Sequence, residues 1–268
     1  MPFAETTPVP EASGAAWLTI DGKLVLVTMG DSGEDGAYGL IDPDTGATLE
    51  QGKLPLGDAG DDLEGLAARG GLLYGLSSAG WIREWKRVDR GFELVAGPYA
   101  IGPQTLSDKK GGNRPAKGDG MACGAKITNC GRNYEGLALS EDPQVGDACI
   151  GVALSKADGT LYCLTEEGGR LVGHQDRAFH VGRPGAVADC TLDDAGVVWI
   201  GWNTFGGNEV DRVTGWRDLA HAKLEEVGMY GLGFCEAIAV RGDVMYRFSD
   251  SGGAPSLMSK FRCSTERR

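Results

Sequence analysis

The stretch Glu64-Gly-Leu-Ala-Ala-Arg-Gly-Gly-Leu-Leu-Tyr74 decides the fold, because it returns twice without gaps. Its counterparts are Asp189-Cys-Thr-Leu-Asp-Asp-Ala-Gly-Val-Val-Trp199 and Glu236-Ala-Ile-Ala-Val-Arg-Gly-Asp-Val-Met-Tyr246. In each, an acid precedes a short apolar run, a glycine-bearing turn follows, and a second apolar run ends on an aromatic. Apolar runs on either side of a tight turn read as strand, hairpin, strand. Two looser copies start at Ser13, which leads through Asp21-Gly22, and at Glu135, which leads through a longer loop into residues 149–154. The five starts are spaced by roughly 50 residues, the length of a four-stranded propeller blade.

The expected fold is therefore all-β: a β-propeller of five blades, built from residues 1–268 as one domain. Six blades are the alternative, because Val152-Ala-Leu-Ser-Lys-Ala-Asp-Gly-Thr-Leu-Tyr162 also resembles the repeat. Read as the second and third strands of unit three, that segment leaves the count at five. Residues 81–88, 92–99, 160–165, 210–214, 224–229 and 256–262 supply further strands. Residues 216–227 suit either a short helix or a strand. The fifth unit runs out of chain one strand short. Residues 3–9, extended and proline-bearing, are expected to supply that outermost strand and close the ring, since Pro8 and Pro10 are tolerable on an edge strand. Residues 101–129 are rich in Gly, Lys and Asp and read as one long surface-loop insertion.

Forty-four glycines in 268 residues fit a chain of many short strands and tight turns. With 41% apolar residues there is ample material for a core. A net charge of −12 disfavours nucleic acid and anionic lipid as partners, and no apolar run is long enough for a spanning helix. A monomer acting on a small-molecule substrate or ligand is expected. Seven cysteines without a CxxC pair point away from a zinc ribbon and towards two or three disulfides in an extracytoplasmic protein, periplasmic or secreted. Cys123 and Cys130 are placed to bridge locally; buried free thiols are the alternative. Residues 1–14 show neither the basic nor the apolar region of a signal peptide.

In a propeller the innermost strands start on one face, and the strands after them end on that face. One ring of side chains is then Ser13, Glu64, Glu135, Asp189 and Glu236. A second comes from Asp31, Ser78, Lys156, Asn203 and Asp250, with Glu11, Asp62 and Asn133 two residues before the first ring. Several carboxylates around one mouth repel unless protons or a cation neutralise them. Oxygen ligands without histidine favour Ca2+ over Mg2+. The expected ligands are Glu64, Glu135, Asp189, Glu236 and Asn203. The competing reading has the acids hydrogen-bonding neighbouring blades as structural anchors. Asp250-Ser251-Gly252-Gly253 has the look of a serine-protease motif, but the repeat accounts for it and no matching histidine segment exists.

Glu64-Gly-Leu-Ala, Asn133-Tyr-Glu-Gly-Leu-Ala-Leu-Ser140 and Glu11-Ala-Ser-Gly resemble the E-G-[LI]-A and S-G-[LI]-A repeats of the phytase-like, or esterase-like, propeller family. The wider ring of Glu, Asn and Asp is more distantly similar to calcium-dependent propeller lactonases of the gluconolactonase type. The resemblance implies a divalent metal in the channel and hydrolysis of esters, lactones or phosphates. Glu236-Ala-Ile-Ala and Asp189-Cys-Thr-Leu depart from the motif. Two functions follow. One is a Ca2+-dependent hydrolase, with Asp189 or Asp250 as general base and Lys156 stabilising an oxyanion. The other is a non-catalytic module that binds a ligand or protein at the same mouth.

Overall fold

The computed structural model describes residues 4–102, 105–107, 113–115, 123–124, 126–204, 207–231, 234–249 and 252–262. The chain opens with β1 (Ala4–Pro10). Blade one is β2 (Ala12–Ile20), β3 (Lys23–Gly30), β4 (Ala37–Ile41) and β5 (Thr48–Lys53). Blade two is β6 (Leu63–Arg69), β7 (Leu72–Ser77), β8 (Trp81–Arg87) and β9 (Phe92–Ala100). A hairpin of β10 (Thr105–Ser107) and β11 (Asn113–Pro115) follows within the segment read as a long loop. Blade three is β12 (Tyr134–Leu139), β13 (Gly151–Ser155), β14 (Thr160–Glu167) and β15 (Arg170–His180). Blade four is β16 (Val187–Leu192), β17 (Val198–Thr204), β18 (Gly207–Thr214) and β19 (Lys223–Gly231). Blade five has β20 (Cys235–Arg241), β21 (Val244–Ser249) and β22 (Pro255–Arg262), and β1 adds to β22 as its fourth strand.

The molecule is thus a five-bladed antiparallel propeller closed by its N-terminal strand, as the repeat predicts. Ala4, Glu5 and Thr6 pair with Ser259, Met258 and Leu257, and the register breaks before Pro10. The prolines fall on the outer strand and around that break, where a missing N–H leaves no ladder bond unmade. The innermost strands β2, β6, β12, β16 and β20 contact one another in a closed cycle around the channel. In the ambiguous segment 216–227 the strand prevails: only Leu219–His221 form a 3-10 turn, and from Lys223 the chain pairs along β18.

The core is divided among the blade interfaces. Trp85 of blade two packs with Leu63 and Leu73 against Val27 and Met29 of blade one. Trp202 and Ile200 of blade four meet Val152 and Leu161 of blade three. Each fully buried Leu, Ile or Trp contributes roughly 2–3 kcal/mol by leaving water. The blades converge closely at the channel. A Cβ on Gly65 would stand 2.7 Å from the Leu137 nitrogen, and one on Gly136 would stand 2.4 Å from the Cys190 nitrogen. The glycines after Glu64 and Glu135 are therefore what let these neighbouring inner strands touch.

Cys123–Cys130 and Cys149–Cys163 are disulfides, Cys190 is a free buried thiol, and Cys235 is buried. Cys263 lies outside the described residues. Disulfides persist in an oxidising environment. Among the described residues no helix is long and apolar enough to cross a membrane.

Candidate functional site

Every blade begins its inner strand with the same irregularity. The pairing of inner and second strand slips by one residue around positions 13, 64, 135, 188 and 236. A bulge of this kind re-aims a side chain that regular pleating would send elsewhere. A second feature fixes the equivalence of the blades. The N–H groups of Asp31, Ser78, Lys156 and Asn203 donate to the carbonyls of Glu11, Asp62, Asn133 and Ala186, each two residues before the bulge. The ring is therefore Ser13, Glu64, Glu135, Ala188 and Glu236.

Asp189 consequently stands one place past the ring, where blades one to three carry Gly14, Gly65 and Gly136. Its side chain takes the path their missing Cβ leaves open: the carboxylate accepts the Ile238 N–H of blade five at 2.9 Å and the Cys190 N–H at 2.7 Å. The gapless alignment placed Asp189 in the ring because the first hairpin of blade four is one residue longer. Thr191 pairs with Trp199 where Ala67 pairs with Tyr74. Asn203 is likewise engaged across the interface, its amide donating to the Cys235 carbonyl at 2.8 Å and accepting the Cys235 N–H at 2.7 Å. Ser13 donates to the Leu63 carbonyl of blade two. Asp250 falls outside the described residues.

Blades one and two bring three carboxylates together. Oxygens of Asp31, Asp62 and Glu64 all lie within 4.8 Å of one another. Asp62 is buried and accepts from the Ser78 hydroxyl and, at 3.4 Å, from the Asn129 N–H. Glu64 is 7% exposed, and its carboxylate receives no hydrogen bond among the described residues. Burial, then the charges of Glu135, Asp31 and Asp62, push its carboxyl well above the usual range. Burial also raises Asp62, and raises Asp31 to about 6.

Blade three supplies its own counter-charge. The Lys156 ammonium sits 2.9 Å from one oxygen of Glu135, and the Asn133 amide donates to the other at 3.1 Å. Burial pushes Glu135 upward while Lys156, by charge and hydrogen bond, pulls it down. The field of Glu135, Glu236 and Glu64 holds the Lys156 ammonium in its charged form despite burial. Lys156 is thus a neighbour of the carboxylates as well as a donor at the mouth. Glu236 is close enough for its charge to bear on Glu135, Lys156 and Asp189.

The ring carboxylates Glu64 and Glu135 and the turn residues Asp31 and Asp62 are legible from the repeat. The fit of Asp31 and Asp62 to Glu64, in preference to a symmetric ring, is not, because the bulge that re-aims Glu64 leaves no mark in the sequence. Chemically, blades one and two offer an all-oxygen cradle of three carboxyls that could hold a hard cation in place of protons, and blade three a tethered ammonium near it.

No known family model matches the sequence, and no curated protein matches it. Solved structures of similar shape include a luciferin-regenerating enzyme, 10% identical over 99% of this chain and 96% of that one, TM-score 0.49. A Streptomyces coelicolor aldose sugar dehydrogenase in its PQQ-bound form is 15% identical over 97% and 98%, TM-score 0.45. A Myxococcus xanthus glutaminyl cyclase is 15% identical over 99% and 98%, TM-score 0.48. Likenesses this remote assign neither a family nor an activity.

Proposed function

We propose that the chain is a divalent-metal-dependent propeller hydrolase that holds Ca2+, with Mg2+ the poorer fit, between Asp31, Asp62 and Glu64. The observation that carries this reading is Glu64, a carboxylate 7% exposed, beside two others and without a protein donor among the described residues. A buried carboxylate in that position either keeps a proton or takes a cation. Ca2+ accepts irregular oxygen shells and leaves positions for water or substrate, whereas Mg2+ demands a near-ideal octahedron. In this reading Glu135 serves Lys156, while Asp189 and Asn203 hold the interface of blades four and five.

When bound, the ion supplies Lewis acidity to an ester, lactone or phosphoester oxygen and acidifies water. Lys156, its side chain 34% exposed, is the donor that stabilises the developing oxyanion. Asp31, partly exposed at the edge of the site, would be the carboxylate that accepts the proton of the attacking water. The disulfides support an extracytoplasmic location, periplasmic or secreted.

A second reading, a non-catalytic metal-stabilised binding propeller, is favoured by Ser13, Asp189 and Asn203, all spent on interblade hydrogen bonds. One experiment tests both. Ca2+ at about 100 times its Kd should stabilise the protein by about 2.7 kcal/mol, a shift that chelator removes and Glu64→Gln abolishes. Turnover of aryl esters, lactones or phosphoesters that is lost with chelator selects the hydrolase. Binding without turnover selects the module, and a chelator-insensitive melting temperature overturns the metal in both.

A further inference from the structure

We infer that Arg83 and Asp61 are positioning residues for the Asp31–Asp62–Glu64 site, an inference that rests on the metal reading above. Arg83, on β8, is fully buried. Among the described residues no carboxylate lies at ion-pair distance from it, although the charge of Asp61 bears on it. Its Nε donates to the Leu56 carbonyl at 2.8 Å, its Nη2 donates to the Gly60 carbonyl, and its Nη1 has no partner among the described residues. A guanidinium buried with carbonyls as its hydrogen-bond acceptors is costly, and a well-packed apolar side chain would fill the space with less penalty. What Arg83 gains is a fixed path for the chain entering β6. That path ends in two adjacent acids with different duties. The Asp61 carboxylate accepts the N–H groups of Gly33 at 2.9 Å and Asp35 at 3.0 Å, which pins the turn that carries Asp31. Asp62 faces the site itself. The clamp thus runs from Arg83 through residues 56–60 to Asp61, and from Asp61 to the Asp31 turn of blade one. It sets the spacing of two ligands that come from different blades.

Outer residues of this kind tune metal affinity without touching the ion. The test compares Ca2+ affinity by calorimetry with amide exchange at Gly33 and Asp35 in Asp61→Ala, Asp61→Asn, Arg83→Met and, as a control on the same strand, Arg87→Met. Asp61→Ala and Arg83→Met should weaken Ca2+ about tenfold or more, and Asp61→Asn, whose amide oxygen still accepts both N–H groups, should stay within about threefold. Exchange at Gly33 and Asp35 should accelerate in Asp61→Ala. Arg87→Met should lose stability and keep its affinity. Unaltered affinity in Asp61→Ala, or an equal loss in Arg87→Met, overturns the positioning role. If the wild type binds no Ca2+, the metal reading falls and this role falls with it. Exchange rates alone then report whether the clamp holds the turn.

Discussion

Asp189 puts at a single residue the question of whether an acid at the channel is a ligand or an anchor. Both amides it accepts are backbone groups buried at the junction of blades four and five. Asp189→Ala should therefore cost about 2–4 kcal/mol, the penalty for two buried N–H groups losing their acceptor. Asp189→Asn, which keeps one acceptor oxygen, should cost less. Urea denaturation measures both, and the Ca2+ affinity of the asparagine variant should match the wild type. A Ca2+ affinity that collapses in Asp189→Asn while stability holds would return this residue to the metal. The sequence presents Asp189 as the equal of Glu64 because an acid lies ten residues before an aromatic in both. The backbone slip that separates them has no compositional signature; it is set by how the hairpin and the bulge share one extra residue. Glu64 and Glu135 were legible for the opposite reason, since the glycine after each is demanded by the adjoining blade.

At the scale of strands, the same glycine gives a sharp expectation. Gly136→Ala drives a methyl group to 2.4 Å from the Cys190 nitrogen, a backbone atom that cannot step aside alone. It should destabilise by about 2–3 kcal/mol in chemical denaturation, an overpacking cost. By contrast Gly146→Ala meets open space and pays only for its left-handed backbone. A second element-level contact joins β5 to β8. Arg87 binds both oxygens of Glu50 at 2.6 and 2.7 Å, and the Tyr38 hydroxyl and Gly91 N–H also donate to that carboxylate. The Arg87 hydrogen bonds hold Glu50 down at about 2. A depressed carboxyl stabilises the fold above its unfolded pKa, and that stability is lost as pH falls through the folded one. Glu50→Gln should therefore lose about 1 kcal/mol at neutral pH, a figure discounted for the partial exposure of the pair. The gap between variant and wild type should close as pH drops from about 4.5 to about 2. A gap that does not change over that window rules the ion pair out as its source. Nothing in the spacing of Glu50 and Arg87 announces this clasp, because the two lie in different repeats and meet only once the blades are stacked.

For the whole molecule, the decisive contact joins the two ends of the chain. Blade five has three strands of its own, and β1 completes it from the opposite terminus. The shortage of one strand was visible in the repeat count, which is why the closure could be read from sequence. The lopsided chemistry of the mouth could not, since it depends on which blade faces which. Closure is also where a ring is weakest, because a circle of nearest-neighbour interfaces loses cooperativity when one of them opens. Val9 is buried with Ala12, Ile41, Phe248 and Met258, at the junction of the first and last blades. Deleting residues 4–10 removes that side chain, worth about 1.5–2 kcal/mol, together with the ladder to β22. It also leaves β22 as a bare edge, a template for pairing with another chain. The truncated protein should melt earlier and self-associate with rising concentration in light scattering. A synthetic peptide of residues 4–11 should reverse the self-association by refilling the edge. Truncated protein with no added self-association and an unchanged melting temperature would show that the ring is held by its interblade cores alone.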